Sequence, residues 1–156
     1  MKVSRPLDVS LPAGGVLFAE SVHAPDFAMP RRVDPFHKLV YVLRGRVSCA
    51  RGRPEARVEV GDGGMIAIAT GCPHRLSDLA ASTLLLLCLD ADWIAMEPER
   101  EQLWSELTSD PRAVAVLDRP ARLRSEAIWR RAMAEQARPR VGSGLLARSL
   151  ADQALV

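Results

Sequence analysis

The chain has 156 residues, 48% of them apolar and 26% charged, which is ordinary for one globular domain with a single core. A formal net charge of +2 is too small to imply nucleic-acid binding by this segment, which would need basic residues concentrated on one face. Three cysteines, Cys49, Cys72 and Cys88, are odd in number and lack CxxC spacing. That excludes a disulfide scaffold. With no basic-then-apolar leader and no apolar run near the ~20 residues of a membrane span, a cytoplasmic protein is expected.

Met1 to Pro12 has no regular period. Val16 to Ala19 and Ser21 to Ala24 read as early strands, interrupted by Pro25 and Pro30. Asp34 to Leu43 is a β-branched, apolar strand stopped by Gly45, and Arg46 to Arg51 runs back after that turn. Ala56 to Val60 alternates with Val58 and Val60 on one face. The Gly61 to Gly64 turn precedes a strand that ends near Thr70, and a turn at Gly71 then delivers His74. Thr83 to Asp90 reads as a strand buried on both faces. After Asp90 the period becomes helical. Pro98 opens a helix with Leu103, Trp104 and Leu107 on one side, ended by Asp110-Pro111. Pro120 opens a second, to about Arg138, with Leu123, Ala127, Ile128 and Met133 inward and Glu126–Arg130 as an outer i,i+4 pair. Ser143 is expected to N-cap a third, with Leu145, Leu146, Leu150, Ala154 and Leu155 at helical spacing. No stop signal precedes Val156, which predicts that the polypeptide continues.

Two segments carry a resemblance. Gly63, Gly71 and His74 match the second half of the cupin signature, with Ala69 where proline is usual. The run Leu39 to Gly45 matches the frame of its first half. Arg32 and Asp34 stand where that half has its two histidines, and Lys38 stands where it has glutamate. The match covers roughly a third of the chain. A cupin followed by an Arg-rich helix and a Leu-rich helix is also similar to the sensing and dimerisation domain of AraC-type transcription regulators. The resemblance implies a mainly β fold: a cupin-type antiparallel barrel (double-stranded β-helix or jelly roll) over 1–95. C-terminal helices over 96–156 would pack on it as one compact unit.

Period-two alternation puts Arg32, Asp34, Phe36 and Lys38 on one strand face, and His37 on the other. By resemblance the first face looks into the barrel, with His74 from the second motif. Two cations among four positions repel a divalent metal and, while protonated, have no lone pairs for it. No metal or other cofactor is therefore expected. The alternative is a zinc set of His37, Cys72 and His74, against which the parity of His37 counts. Arg32, Asp34, Lys38 and His74 are then either a pocket for a small anionic or polyhydroxylated ligand, or a self-satisfied ion pair filling the barrel.

Trp93, Trp104 and Trp129 read as packing residues, Cys49 and Cys88 as small core residues, and His23 as a satisfied histidine. The arginines at 44, 46, 51, 53 and 57 read as a solvated strand face. No Ser-His-Asp arrangement and no phosphate-binding loop emerges. The expected function is non-enzymatic: a small-molecule effector in the barrel and homodimerisation through Trp129, Met133, Leu146, Leu150 and Leu155. DNA would be bound only through a helix-turn-helix domain beyond residue 156. The alternative is a stand-alone cupin enzyme, such as a metal-dependent dioxygenase, isomerase or lyase.

Overall fold

A computed structural model describes Lys2–Val3 and residues 9–156. Of the irregular first twelve residues, 1 and 4–8 lie outside them. The strands are β1 (Lys2–Val3), β2 (Val16–His23), β3 (Phe27–Ala28), β4 (His37–Arg44), β5 (Arg46–Arg51), β6 (Ala56–Gly61), β7 (Gly64–Ile68), β8 (His74–Asp78), β9 (Ser82–Leu89) and β10 (Ala115–Val116). The helices are α1 (Ala91–Ala95), α2 (Pro98–Thr108), α3 (Arg119–Ala137) and α4 (Ser143–Leu155). Two five-stranded sheets result, in the orders β1-β3-β8-β5-β6 and β10-β7-β4-β9-β2. Among the described residues every strand pairing is antiparallel except β1 with β3. This is the cupin-type arrangement, with helices appended on one side.

The register of β9 explains the leucine run. Leu84 and Leu86 face the space between the sheets, with Val40, Val42 and Ile66. Leu85, Leu87 and Leu89 face outward onto the helices, with Leu39, Tyr41, Trp104 and Trp129. A sheet covered on both faces needs apolar residues at every position rather than at alternate ones. Thus β4 and β9 separate two cores, one inside the barrel and one under α1–α4.

The β4–β5 turn depends on Gly45. Its φ is +95° and a Cβ there would come within 2.3 Å of the Ala81 carbonyl oxygen, so only glycine fits. Its N–H donates to Asp62 Oδ1 at 2.7 Å, tying this turn to the one before β7.

Helix α3 docks by a face that differs from expectation. Trp129 and Ala132 are fully buried, whereas Leu123 is 58% exposed and Ala127 is exposed. Ile128 and Met133 are half-buried. The inward face is marked by polar residues at helical spacing. Gln136 accepts from the Phe18 N–H (2.8 Å) and donates to the Phe18 carbonyl (2.7 Å), while Glu126 accepts from the Tyr41 hydroxyl (3.4 Å). Strand β2 is a sheet edge, and Gln136 caps one of its exposed backbone pairs. Arg100 clamps the helices together. It reaches both carboxylate oxygens of Asp152 (2.7 and 3.1 Å) and stacks on Trp93 at 3.9 Å.

Two further expectations change. Ser143 does not cap α4 through its side chain, because Gly142 occupies the N-cap position in the left-handed region. Ser143 Oγ instead accepts from the Arg140 N–H and donates to Glu135. Arg51 is not solvated. It is 3% exposed, and its guanidinium donates to the carbonyls of Ala67, Pro111 and Ala113, holding the 111–113 segment against the barrel.

Candidate ligand site in the barrel

The two motif halves are clasped by backbone. Arg32 and His74 exchange reciprocal N–H to carbonyl bonds, both 2.9 Å. The carbonyl of Asp34 accepts from Gly71 N (3.1 Å) and Thr70 Oγ1 (3.2 Å). Pro35 keeps Arg32–Phe36 out of β4, which begins at His37 rather than Asp34. The expected alternation along a continuous strand is therefore not what brings these side chains together; the clasp is.

Arg32, Asp34, Lys38 and His74 do converge. Asp34 carries the only negative charge among them and lies 2.5 Å from Arg32 Nη2, 2.7 Å from Lys38 Nζ and 3.3 Å from His74 Nε2. These contacts miss the angles of well-aimed hydrogen bonds at the carboxylate, so they act mainly through charge. Burial alone would raise the Asp34 pKa. Contacts from His74 and Lys38 and the charges of Lys38 and Arg32 overcome this and hold it well below the usual carboxylate range. The His74 Nδ1 faces the Cys72 carbonyl at 3.0 Å and therefore carries a proton. Its Nε2 is 3.4 Å from Lys38 Nζ.

A cavity of about 560 Å³ opens between the sheets. Arg32 and Lys38 line it, as do Phe27, Met29, Phe36, Leu76, Leu84 and Leu86; Asp34 and His74 do not. The carboxylate thus stands off the cavity wall while its two cations stand on it. The far end holds His23, read from the sequence as a satisfied histidine, with partners the sequence did not single out. Ser21 Oγ is 2.5 Å from His23 Nε2, and His23 Nδ1 is 3.2 Å from Asp78 Oδ1. Asp78 also accepts from Ser82 Oγ (2.8 Å), and His23 stacks on Phe27 with centroids 3.7 Å apart. A Ser–His–Asp chain therefore does emerge. Its one sequence signal was the i,i+2 spacing of Ser21 and His23 on one strand face; Asp78 is 55 positions away and arrives through the β8–β9 turn. A larger groove of about 870 Å³ lies beside β10, α3 and the end of α4, with no buried ionisable side chain in its lining.

The AraC-like ligand binding domain family model matches residues 14–155, nearly the whole chain. The chain belongs to this family. No curated protein matches it. Among solved structures it is similar to Bacillus subtilis oxalate decarboxylase, at 15% identity and a TM-score of 0.47, over 65% of this chain and 33% of that one. A cupin superfamily protein from Desulfitobacterium hafniense has 10% identity and a TM-score of 0.47, covering 51% of this chain and 72% of that one. Vicilin from tomato (Solanum lycopersicum) has 11% identity and the same score, over 51% and 24%. The chain thus spans about a third of the length of the decarboxylase it matches.

In this AraC-like domain the cupin metal positions do not fit a metal. The Lys38 ammonium lies 2.7 Å from Asp34 and 3.4 Å from His74, and its charge opposes a divalent ion beside them. The alternative set of His37, Cys72 and His74 does not assemble either. His37 turns to the helix side, where its ring is 4.7 Å from that of Trp104 and its Nδ1 accepts from the Thr70 N–H at 2.9 Å. No three His, Cys, Asp or Glu side chains cluster in metal-binding geometry among the described residues. The expected dimer stripe also needs correction. Trp129, Leu150 and Leu155 are 0, 2 and 6% exposed, because this chain's own helices and barrel cover them; Met133 and Leu146 are half-buried.

Proposed function

We propose that this domain is the sensor of an AraC-type transcription regulator and that it binds a small anionic effector in its barrel. The observation that carries the reading is the pair of cations, Arg32 and Lys38, on a largely apolar cavity wall with their counter-charge, Asp34, set behind it. Such a wall leaves positive potential in a poorly hydrated space, where an anion gains most from it. Asp34 and His74 then act as positioning residues that fix the two cations, rather than as ligand contacts.

In this reading the regulator works in the cytoplasm and reaches DNA through a helix-turn-helix domain after residue 156, and two copies pair through their helices. The pairing surface is drawn from what α3 and α4 leave outward, Leu123 and Leu145, with the half-buried Ile128, Met133 and Leu146 beside them. Effector binding would act by changing how the two DNA-binding domains are spaced on half-sites.

Two measurements test the reading. Intact mass of the native protein from its source cells is expected to exceed that of this segment by about a DNA-binding domain, on the order of 100 residues. The low-molecular-weight fraction of a lysate of those cells is expected to raise the melting temperature of the domain, and to do so less for Arg32→Gln. A native chain ending at Val156, or no shift with the extract, overturns the reading.

A further inference from the structure

The barrel cavity is polar at both ends in opposite senses, and its middle is apolar. In the β4–β9–β2 register Lys38 stands opposite Cys88, and Ser21 stands opposite Leu84. Four positions along β9 separate them, about 13 Å of strand. Side chains directly opposite in an antiparallel pair share a face, so both point into the cavity. Arg32 and Lys38 make the cationic end. At the other end Asp78 can only accept, so His23 donates to it from Nδ1; on the neutral ring Nε2 is then a bare acceptor facing Ser21. The Ser21 hydroxyl proton is committed to that nitrogen, so its oxygen presents lone pairs to the cavity. Asp26, which also lines the cavity, is acidic, and Asp78 stands behind His23; Glu20 is paired with Leu85 and so points to the helix side. That end accepts hydrogen bonds and repels anions.

We infer that the effector is an elongated monocarboxylate with an apolar body and a hydroxyl at the end distal to its carboxylate. The carboxylate pairs with Arg32 and Lys38, and the distal hydroxyl donates to Ser21 Oγ. The body lies on Phe27, Phe36, Leu84 and Leu86. A polyol is disfavoured because the middle of the cavity offers it no partners, and a dianion because the second charge meets the acidic end. The inference rests on the sensing reading above and specifies its ligand.

The test is calorimetric titration of the domain with 4-hydroxybenzoate, 6-hydroxy-2-naphthoate and 10-hydroxydecanoate. Each is compared with the acid lacking the hydroxyl and with the carboxamide; 2,6-naphthalenedicarboxylate and D-glucose complete the panel. At least one hydroxy acid is expected to bind ~10-fold tighter than its parent acid, the worth of one well-made buried hydrogen bond. Its carboxamide is expected to bind ~100-fold more weakly than the hydroxy acid, from loss of the charge-assisted contacts. Ser21→Ala is expected to erase the difference between hydroxy acid and parent acid while leaving the parent acid's affinity in place. Arg32→Gln is expected to weaken both acids together.

Tighter binding of glucose or of the dicarboxylate overturns the inference and leaves the sensing reading standing. So does a hydroxyl preference that persists in Ser21→Ala. If no acid binds while the cell extract still raises the melting temperature, the ligand class is wrong and the sensor is not. If neither acts, both fall.

Discussion

At the residue scale the charges of the barrel separate by the pH at which they matter. His37 is buried against Trp104, and burial pushes its pKa down. As pH falls below ~6.5 the unfolded chain takes up this proton before the folded one, so stability is lost from there downward. Asp34 has its folded pKa depressed, so its contribution is full above ~4 and disappears only as pH falls through the carboxylate range and below. Urea unfolding across pH 7 to 3 is expected to show both steps. His37→Gln should flatten the upper one and Asp34→Asn the lower. Asp34→Asn also strands the buried Lys38 ammonium, and a loss of ~3–5 kcal/mol at pH 7 is expected. Lys38→Met in the same chain should restore much of it, because an apolar side chain then fills the space; a double-mutant cycle reads this directly. The identities of these residues were legible in the sequence, since the cupin frame pointed to all four positions. Their roles were not. Asp34 and Lys38 look alike in a strand pattern, and only the clasp between residues 32–34 and 70–74 decides which of them reaches the cavity.

Elements show the same division. Strand β9 and both long helices could be read from periodicity, because a six-residue apolar run and a 3.6-residue repeat survive whatever surrounds them. The rotation of α3 could not. Its buried face carries Glu126 and Gln136 while Leu123 and Ala127 look outward, so hydrophobic residues alone point to the wrong stripe. Gln136 faces inward because an amide side chain supplies both partners that the backbone of an edge strand lacks. Gln136→Ala is expected to cost ~1–3 kcal/mol in urea unfolding by leaving both Phe18 groups unpaired. Gln136→Glu, which keeps the acceptor and loses the donor, should fall between. Gly45→Ala belongs to this scale too. Its left-handed φ and the Ala81 carbonyl beside it predict a loss well above ~1 kcal/mol and poorer pairing of β4 with β5, seen as faster amide exchange along the hairpin.

For the whole molecule, substitutions at Trp129, Leu150 or Leu155 report on folding rather than on pairing, since these side chains are already covered within one chain. Leu123→Glu, on an exposed position of α3, is the sharper probe. It is expected to leave the melting temperature within a degree or two and to weaken self-association in a dilution series followed by light scattering. Association unchanged by Leu123→Glu would move the pairing surface off this face of α3.

The two-sided sheet has an optical consequence. All three tryptophans of the chain, Trp93, Trp104 and Trp129, lie on the helix side of β4 and β9, and none lines the barrel cavity. A ligand in the barrel therefore touches no indole. Any change in tryptophan emission on filling the cavity has crossed the thickness of one sheet, carried by strands whose alternate side chains, Lys38 and Leu39 or Leu86 and Leu87, belong to opposite compartments. The intrinsic fluorescence of this domain is thus a gauge of how stiffly inside and outside are joined.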